Sequence, residues 1–345
     1  MADPTFDDHA PPLTVLVPGQ VIDTMRRMHA PVVITHVTPD ADALGSSLAL
    51  ALTWTSDGCC PRISLPPGSL SQRLTFMGEW ANVPLAHPED FTATDGFVVL
   101  DAAKKSRCGI EPALRDTNWS AGRKVINIDH HESNTRFGDV NWVVPTASST
   151  AELVYYLLGA ADLPISALTA SLLYAGIHSD TLGFSLPTTG ASSLSVGADL
   201  VKRGADVAAL GERICRSQRK SEFDLLRVIY ANTRLLAEGK LAYSSASYDE
   251  IVGAGCIAAD IDDQINVPRS LDGVRLAILF TEGHEGKTRI NFRSSGDVTV
   301  LDRALQFSGG GHRQSAGVVL DCDLKEAIDK VLPRAVEHLR KFTLS

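Results

Sequence analysis

The 345-residue chain contains few residues of the kinds that mark several large protein classes. Its six cysteines include no C-x-x-C pair, which argues against a disulfide framework and against a zinc site built from cysteines. No run reaches the ~18 apolar residues of a membrane-spanning helix, and the acidic residues 1–12 lack the basic and apolar parts of a secretory signal. We therefore expect a cytoplasmic protein with no membrane partner.

Basic and aromatic residues are also scarce. The chain has 32 Lys and Arg against 41 Asp and Glu, a formal net charge of −9, and aromatic residues make up 6%. A long nucleic acid is bound by a broad basic surface, and a long single strand by a series of stacking aromatic side chains. The composition therefore disfavours long nucleic acids as partners and favours short substrates, with one or two bases engaged. The acidic excess is concentrated in residues 1–101, which contain 4 basic and 12 acidic side chains.

The length allows two or three globular domains, and 44% of the residues are hydrophobic. Apolar runs at 31–36, 97–101 and 124–129 predict buried parallel strands, and the helical pattern at 43–54 follows the first of them. Strands that alternate with helices are typical of a doubly wound α/β sheet. We predict a flexible arm at 1–14 and an N-terminal α/β domain with a mainly parallel sheet at 15–215.

The rest of the chain has a different pattern. Helical spacing dominates from 149 to 239, and its last helix, predicted at 222–237, is the candidate connector between domains. Mixed strand and helix patterns follow residue 240. We therefore predict a helical connector at 216–240 and a smaller C-terminal α/β domain at 241–345.

The first predicted strand leads into a short motif in which His36, Asp40 and Asp42 are spaced as H-x-x-x-D-x-D. Divalent cations that prefer oxygen ligands are bound by carboxylates together with one or two imidazoles, and one turn can direct all three at a single point. Asp40 and Asp42 could equally cap the helix that follows, as aspartates commonly do. The motif alone leaves both interpretations open.

Further ionisable residues end other predicted strands or helices: Asp101, Asp129, His130, His131 and Asp180. Each has an ordinary structural explanation as a strand-end, surface or helix-terminal residue. In a doubly wound sheet, however, ligands bind at the carboxyl ends of the strands. Carboxylates gathered there would repel one another, and two divalent cations would resolve the conflict. Such a pair of ions predicts hydrolysis of a phosphoester or phosphoanhydride.

A glycine-rich segment at 309–317 is the remaining candidate site. Gly310 and Gly311 would let backbone N–H groups approach an anion without a Cβ in the way, and His312 adds a charge. Arg293, which follows a predicted strand, can donate two hydrogen bonds to a phosphate or stack on a base. The alternatives are a tight loop and an exposed arginine at a strand end.

In their order along the chain, these motifs resemble those of the DHH phosphoesterases. The similarity lies at 36–42, 101, 129–131 and 180, and for the DHHA1 domain of the family at 309–317. Within the family, the chain most resembles the bifunctional oligoribonuclease and pAp phosphatase group and its actinobacterial cyclic-di-AMP phosphodiesterase branch. The resemblance implies a catalytic, metal-binding DHH domain at 15–215 and a substrate-binding DHHA1 domain at 241–345.

The resemblance also implies a binding site for two manganese ions, or for other divalent cations in their place. The implied metal ligands are His36, Asp40, Asp42, Asp101, His130 and Asp180. His36 and Asp40 would bind one ion, and Asp101 would bridge to the second.

Two residues would be catalytic. Asp101 would act as the bridge, and His131 would bind the scissile phosphate and assist the leaving oxygen, although His130 and His131 could exchange roles. Asp129 would orient the motif without binding metal, because ligating histidines usually need such a partner. The implied substrate contacts are His131, Arg293, Gly310, Gly311 and His312.

The implied activity is hydrolysis of cyclic-di-AMP, through pApA to AMP, and of short oligoribonucleotides, with removal of the 3′-phosphate from pAp by a homodimer. The alternatives are a RecJ-like exonuclease, a family II pyrophosphatase and a catalytically silent cyclic-nucleotide receptor. The glycine-rich signature disfavours the pyrophosphatase, and the acidic balance disfavours digestion of long DNA. The complete ligand set disfavours the receptor.

Overall fold

The computed structural model describes residues 16–110, 114, 118–217, 219–257, 261, 263–283, 286–311 and 313–342. The predicted arm at 1–14 lies outside these ranges. The chain divides between Arg216 and Ser217 into two compact units. In the described residues, no helix has the length and apolar character needed to cross a membrane.

The first unit is built around one sheet and a set of helices. Its strands are β1 (Val32–Ile34), β2 (Arg62–Ser64), β3 (Gly96–Leu100), β4 (Lys124–Asp129) and β5 (Val140–Val143). Its helices are α1 (Gly19–Met25), α2 (Ala41–Ser56), α3 (Thr75–Ala81), α4 (Asp90–Ala93), α5 (Thr150–Ala160), α6 (Ala167–Asp180), α7 (Ala191–Lys202) and α8 (Val207–Gly211).

The sheet of the first unit has the strand order β2-β1-β3-β4-β5 and is parallel throughout. The direction in which strands are added reverses between β1 and β3, and ligands bind beside such a switch point at the carboxyl ends of the strands. Alternate side chains cover both faces: Val33 packs with residues of α2, α5 and α6, whereas Val32 packs with Phe91 and Trp119. The prediction of an α/β fold with a mainly parallel sheet is confirmed.

The second unit contains a mixed sheet. Its strands are β6 (Arg234–Leu236), β7 (Leu241–Ala246), β8 (Leu276–Glu282), β9 (Thr288–Ser294), β10 (Gly310–Gly311) and β11 (Ser315–Leu320). Its helices are α9 (Lys220–Ala231), α10 (Tyr248–Gly253), α11 (Asn266–Arg269), α12 (Leu301–Leu305) and α13 (Leu324–Arg340). The order is β10-β11-β9-β8-β7-β6, and only the β7–β8 pair is parallel.

The helix predicted at 222–237 ends early, at Ala231, and the prediction for its last turns is wrong. Leu235 and Leu236 continue the helical spacing but lie on β6, because pairing with β7 satisfies their backbone groups. The connector predicted at 216–240 thus contains one helix and the first strand of the second sheet.

Candidate metal centre

Residues in or just after five elements bring carboxylates and imidazoles to the carboxyl edge of the parallel sheet. His36 follows β1, Asp101 follows β3, and His130 follows β4. Asp42 lies in the first turn of α2, and Asp180 is the last residue of α6. Asp42, Asp101 and His130 are at most 3% exposed, so the charges lie in a poorly hydrated place.

Ligand atoms within 4.8 Å of one another form three overlapping groups in the described part of the chain. The groups are His36 with Asp40 and Asp101, Asp42 with His130 and Asp180, and Asp101 with His130 and His131. All six residues predicted as metal ligands, and His131, therefore lie together.

Asp101 joins these groups through its two carboxylate oxygens. Its Oδ2 lies 3.5 Å from His36 Nε2, which is itself 4.0 Å from Asp40 Oδ1. Its Oδ1 lies 3.5 Å from His130 Nε2, which is 3.2 Å from Asp180 Oδ2. One carboxylate thus has one oxygen on the His36 side of the cluster and the other on the His130 side.

The carboxylates change one another's protonation. Burial raises the pKa of Asp40 to about 6, although the neighbouring His36 works to lower it. Burial, followed by the charges of Asp101 and Asp180, raises the pKa of Asp42 well above its ordinary value. Like charges at these distances oppose ionisation, so the cluster favours a bound cation.

For the histidines, the neighbouring carboxylates favour the charged form of the ring. Burial works to lower the pKa of His130, but the hydrogen bond and charge of Asp180 outweigh it and hold that pKa well above its usual range. Burial works to raise the pKa of Asp101, but the histidines around it, led by His36, hold it well below its usual range. The histidine protons compensate the carboxylates here, and a metal ion binds by displacing such protons.

Asp42 is held by the packing of three helices. Its Oδ2 and Oδ1 accept hydrogen bonds from the backbone N–H groups of Thr150 (2.7 Å) and Ala151 (2.8 Å) at the start of α5. Helix α6 approaches through Gly176, where a Cβ would lie 2.8 Å from Asp42 Oδ1. Glycine is therefore needed at 176 for the close approach of α6 to the carboxylate.

Asp40 satisfies both interpretations of its motif. Its Oδ1 accepts hydrogen bonds from the backbone N–H groups of Asp42 and Ala43, each at 3.0 Å, so Asp40 is the N-cap of α2. The same residue belongs to the group formed with His36 and Asp101. Helix capping fixes the position of this carboxylate within the cluster.

Asp129 orients the histidine pair. Its Oδ1 accepts hydrogen bonds from the backbone N–H groups of His130 and His131 and from His131 Nδ1 at 2.7 Å, while Asn134 Nδ2 donates to its Oδ2 at 2.6 Å. Burial works to lower the pKa of His131, but the charge of Asp129 outweighs it and raises that pKa. The sequence alone did not identify Asn134.

The backbone at Asp101 is strained. Its φ of +56° lies in the left-handed region, which a residue with a Cβ adopts only at a cost of about 1–3 kcal/mol. Its N–H donates to the carbonyl of Ile128 at 3.0 Å, so the last residue of the β3 region is tied to β4. Strain of this kind persists where the surrounding structure fixes the residue, as at a functional site.

Apart from His131 in the first unit, the predicted substrate contacts that the structure describes lie in the second unit. Arg293 is partly buried on β9, where it pairs with Ser315 of β11, and its Nη1 donates to the carbonyl of Phe292 at 3.0 Å. Gly310 and Gly311 form the edge strand β10, paired with β11. His312 lies outside the described residues.

Close packing of the backbone requires glycine at two positions of the glycine-rich segment, 309 and 311. A Cβ at residue 309 would lie 2.3 Å from the Gly317 carbonyl oxygen, and Gly311, with a φ of +136°, would have a Cβ 2.3 Å from the Ser315 carbonyl oxygen. The predicted glycine-rich loop is thus partly a strand, because its backbone pairs closely with β11.

The donor set of the first unit fits divalent cations. Carboxylates and neutral imidazoles are the ligands that manganese, magnesium and similar ions use in proteins. His36 Nδ1 is buried and has no hydrogen-bond partner among the described residues, whereas its Nε2 is turned to Asp40 and Asp101. The ring is thus placed by its neighbours with Nε2 available to an ion.

A parallel sheet with a cluster of carboxylates and imidazoles at its switch point is typical of metal-dependent enzymes of the α/β class. Residues 31–177 match the DHH family, N-terminal domain. The chain is 30% identical over 323 residues to the bifunctional oligoribonuclease and PAP phosphatase NrnA of Thermus thermophilus. The matched region covers 93% of this chain and 94% of that protein. The chain belongs to the DHH family.

Two further similarities extend the comparison. The chain is 26% identical over 324 residues to the cyclic-di-AMP phosphodiesterase PdeA of Listeria monocytogenes. The matched region covers 88% of this chain and 47% of that protein. The crystal structure of an exopolyphosphatase-related protein from Bacteroides fragilis has a TM-score of 0.82 at 24% identity, covering 96% of this chain and 100% of that one. This last similarity concerns the fold.

Proposed function

We propose that this phosphoesterase hydrolyses cyclic-di-AMP, through pApA to AMP, and short oligoribonucleotides, and that it removes the 3′-phosphate from pAp. The observation that carries the proposal is the Asp101 carboxylate, whose two oxygens face two groups of metal-ligating side chains. The names of the relatives from Thermus and Listeria support the choice of substrates. The proposal includes a cytoplasmic homodimer.

We infer that the cluster binds two divalent cations, with manganese as the preferred ion. His36 and Asp40 would hold one ion, and Asp42, His130 and Asp180 the other, with Asp101 shared between them. When bound, such a pair of ions activates water near neutral pH and neutralises charge on the phosphoryl oxygens.

The proton transfer is assigned to His131. Asp129, when ionised, can only accept hydrogen bonds, so the proton of that pair lies on His131 Nδ1. His131 Nε2 is then the atom that exchanges a proton with the leaving oxygen, and the raised pKa of His131 favours the protonated ring that a general acid needs.

Substrate binding is assigned to the second unit. Arg293 offers a planar set of donors that matches a phosphate, and the backbone N–H groups of Gly310 and Gly311 belong to an edge strand. With His312, they would hold a nucleotide phosphate or base. Short substrates suit a chain with a formal net charge of −9, because local cations and bound metals replace a broad basic surface.

Parallel product analysis tests the proposal. The protein with added manganese is incubated separately with cyclic-di-AMP, pApA, a short oligoribonucleotide, pAp, pyrophosphate and long single-stranded DNA, and Asp101→Asn protein serves as the matched control. We expect AMP from cyclic-di-AMP, pApA and pAp, mononucleotides from the oligoribonucleotide, and no turnover of the last two substrates. Hydrolysis of pyrophosphate alone, digestion of long DNA, or binding of cyclic-di-AMP without turnover would replace the proposal with a pyrophosphatase, an exonuclease or a receptor.

A further inference from the structure

We propose that Thr150 is a positioning residue that fixes the Asp42 and Asp101 carboxylates relative to one another and so sets the geometry between the two groups of metal ligands. This inference rests on the proposed two-metal function. The groups of potential ligands are formed by carboxylates and imidazoles, whereas Thr150 contributes a backbone N–H and a hydroxyl as hydrogen-bond donors.

Thr150 donates two hydrogen bonds to two different carboxylates. Its backbone N–H donates to Asp42 Oδ2 at 2.7 Å, and its hydroxyl donates to Asp101 Oδ1 at 2.9 Å. Thr150 and Asp42 are 0% exposed and Asp101 is 2% exposed. Because the carboxylates come from α2 and from the end of β3, this single residue is hydrogen-bonded to two segments of the site.

The position of Thr150 is itself fixed by the start of α5. Ser149 is the N-cap, and its hydroxyl accepts the backbone N–H of Glu152. Glu152 Oε2 in turn accepts hydrogen bonds from the backbone N–H and the hydroxyl of Ser148. The first turn of α5 is therefore a rigid platform from which the Thr150 hydroxyl reaches Asp101.

The Thr150 hydroxyl bonds to the Asp101 oxygen that faces the His130 side of the cluster. Asp101 Oδ1 is the oxygen 3.5 Å from His130 Nε2, whereas Oδ2 is the one near His36. A hydroxyl bonded to Oδ1 restricts rotation of the carboxylate, so both oxygens keep their directions. The backbone of Asp101 is in the left-handed region, a conformation that persists where the surrounding structure holds the residue in place.

Substitution can separate the two hydrogen bonds. Thr150→Val keeps the shape of the side chain and the backbone N–H to Asp42 but removes the hydroxyl. Thr150→Ser keeps the hydroxyl and removes a methyl group. Loss of a hydrogen-bonding partner behind a metal ligand typically weakens metal binding by about 10- to 100-fold.

The matched control is Thr53→Val. Thr53 is 2% exposed on α2, and its hydroxyl bonds to the hydroxyl of Thr169 at 3.1 Å, away from the carboxylates. The control removes a buried threonine hydroxyl of the same kind without touching Asp42 or Asp101. It separates a loss of stability from a loss of positioning.

The experiment measures manganese stoichiometry and affinity by titration calorimetry, and kcat and KM separately with pApA, in the full chain. We expect Thr150→Val to lose about 10- to 100-fold in affinity for an ion. Its kcat should fall while KM changes little, Thr150→Ser should restore both the affinity and kcat, and Thr53→Val should match the wild type.

Unchanged manganese affinity and kcat in folded Thr150→Val protein would overturn the inference. If the valine variant does not fold, Thr150→Ala and Thr150→Ser decide it, because only the serine variant should keep metal affinity. Wild-type protein that binds fewer than two ions would contradict the proposed two-metal site instead. The valine and serine variants would then still be compared on the remaining ion, and equal affinity would overturn the role of Thr150.

Discussion

The carboxyl edge of the first sheet and the β10 edge of the second sheet carry the residues of interest in opposite ways. At the first edge, Asp42, Asp101 and His130 are buried, and each lies close to other carboxylates and histidines of the cluster. Near the second edge, Arg293 of the inner strand β9 and Gly310 of the edge strand β10 are partly exposed, and strand pairing fixes their backbone. Buried carboxylates need a compensating proton or metal ion, whereas partly exposed donors can also interact with water.

This contrast suggests a division of labour that mutations can test. A change at the first edge should remove ion binding or the chemical step, because those charges are already assembled without substrate. A change at the second edge should alter substrate affinity and leave the ions in place.

The largest effect is expected from Asp101→Asn. The amide cannot supply two anionic oxygens to the two groups of ligands, and the ions contribute several kcal/mol to stabilising the reacting phosphoryl group. We expect kcat with pApA to fall by more than about 10³-fold. Steady-state kinetics at saturating manganese measures the effect. A variant that keeps more than a tenth of wild-type kcat would contradict the assignment of the chemical step to the first edge.

His131→Asn should have the next largest effect. It removes the proton donor held by Asp129 but leaves the other residues of the cluster in place, so kcat should fall by about 10²-fold, as for loss of a general acid. Manganese binding should stay close to that of the wild type. If calorimetry instead shows that an ion is lost, His131 is a metal ligand, and the roles of the two histidines are exchanged.

Gly176→Ala should affect folding and the first edge together. The added methyl would lie 2.7 Å from Ala151 Cβ and 2.8 Å from Asp42 Oδ1, so the free energy of unfolding should fall by about 1–3 kcal/mol. Chemical denaturation measures this change. The matched control is Gly159→Ala in α5, where a Cβ meets no atom within 4 Å and should not destabilise the helix. Equal stability of the two variants would refute the close approach of α6.

Arg293→Ala should have the smallest effect and should sharpen the comparison most. Loss of a charged hydrogen bond of about 1.5 kcal/mol predicts a rise of about tenfold in KM, with kcat and manganese affinity retained. Arg234→Ala, on the opposite edge strand β6, provides an arginine control in the same sheet. A KM equal to that of the control would remove Arg293 from substrate binding.

Much of the first unit could be predicted from local sequence. Apolar runs identify β1, β3 and β4 because parallel strands buried on both faces are almost continuously hydrophobic. The strand β2 has the same length as β1 but no apolar run to mark it, because its single apolar residue stands between Arg62 and Ser64. In the second unit, the leucines at 235 and 236 fit a helix as well as a strand, and pairing decides between them.

Part of the candidate site could likewise be predicted from the sequence, and part could not. Carboxylates and histidines at strand ends are visible in the sequence because few other roles need them in that order. The hydroxyl of Thr150 was missed, because its bond to Asp101 joins residues 49 positions apart and leaves no local pattern. The serine, threonine and glutamate at 149–152 do signal a helix start, which is the one clue to that contact.

Metal content tests the central claim most directly. Wild-type and Asp101→Asn protein are saturated with manganese, passed through a desalting column and analysed for manganese per chain by mass spectrometry. The two-metal site predicts two ions per wild-type chain and at most one in the variant. One ion or none in fully active wild-type protein, or two ions retained in the variant, would contradict it.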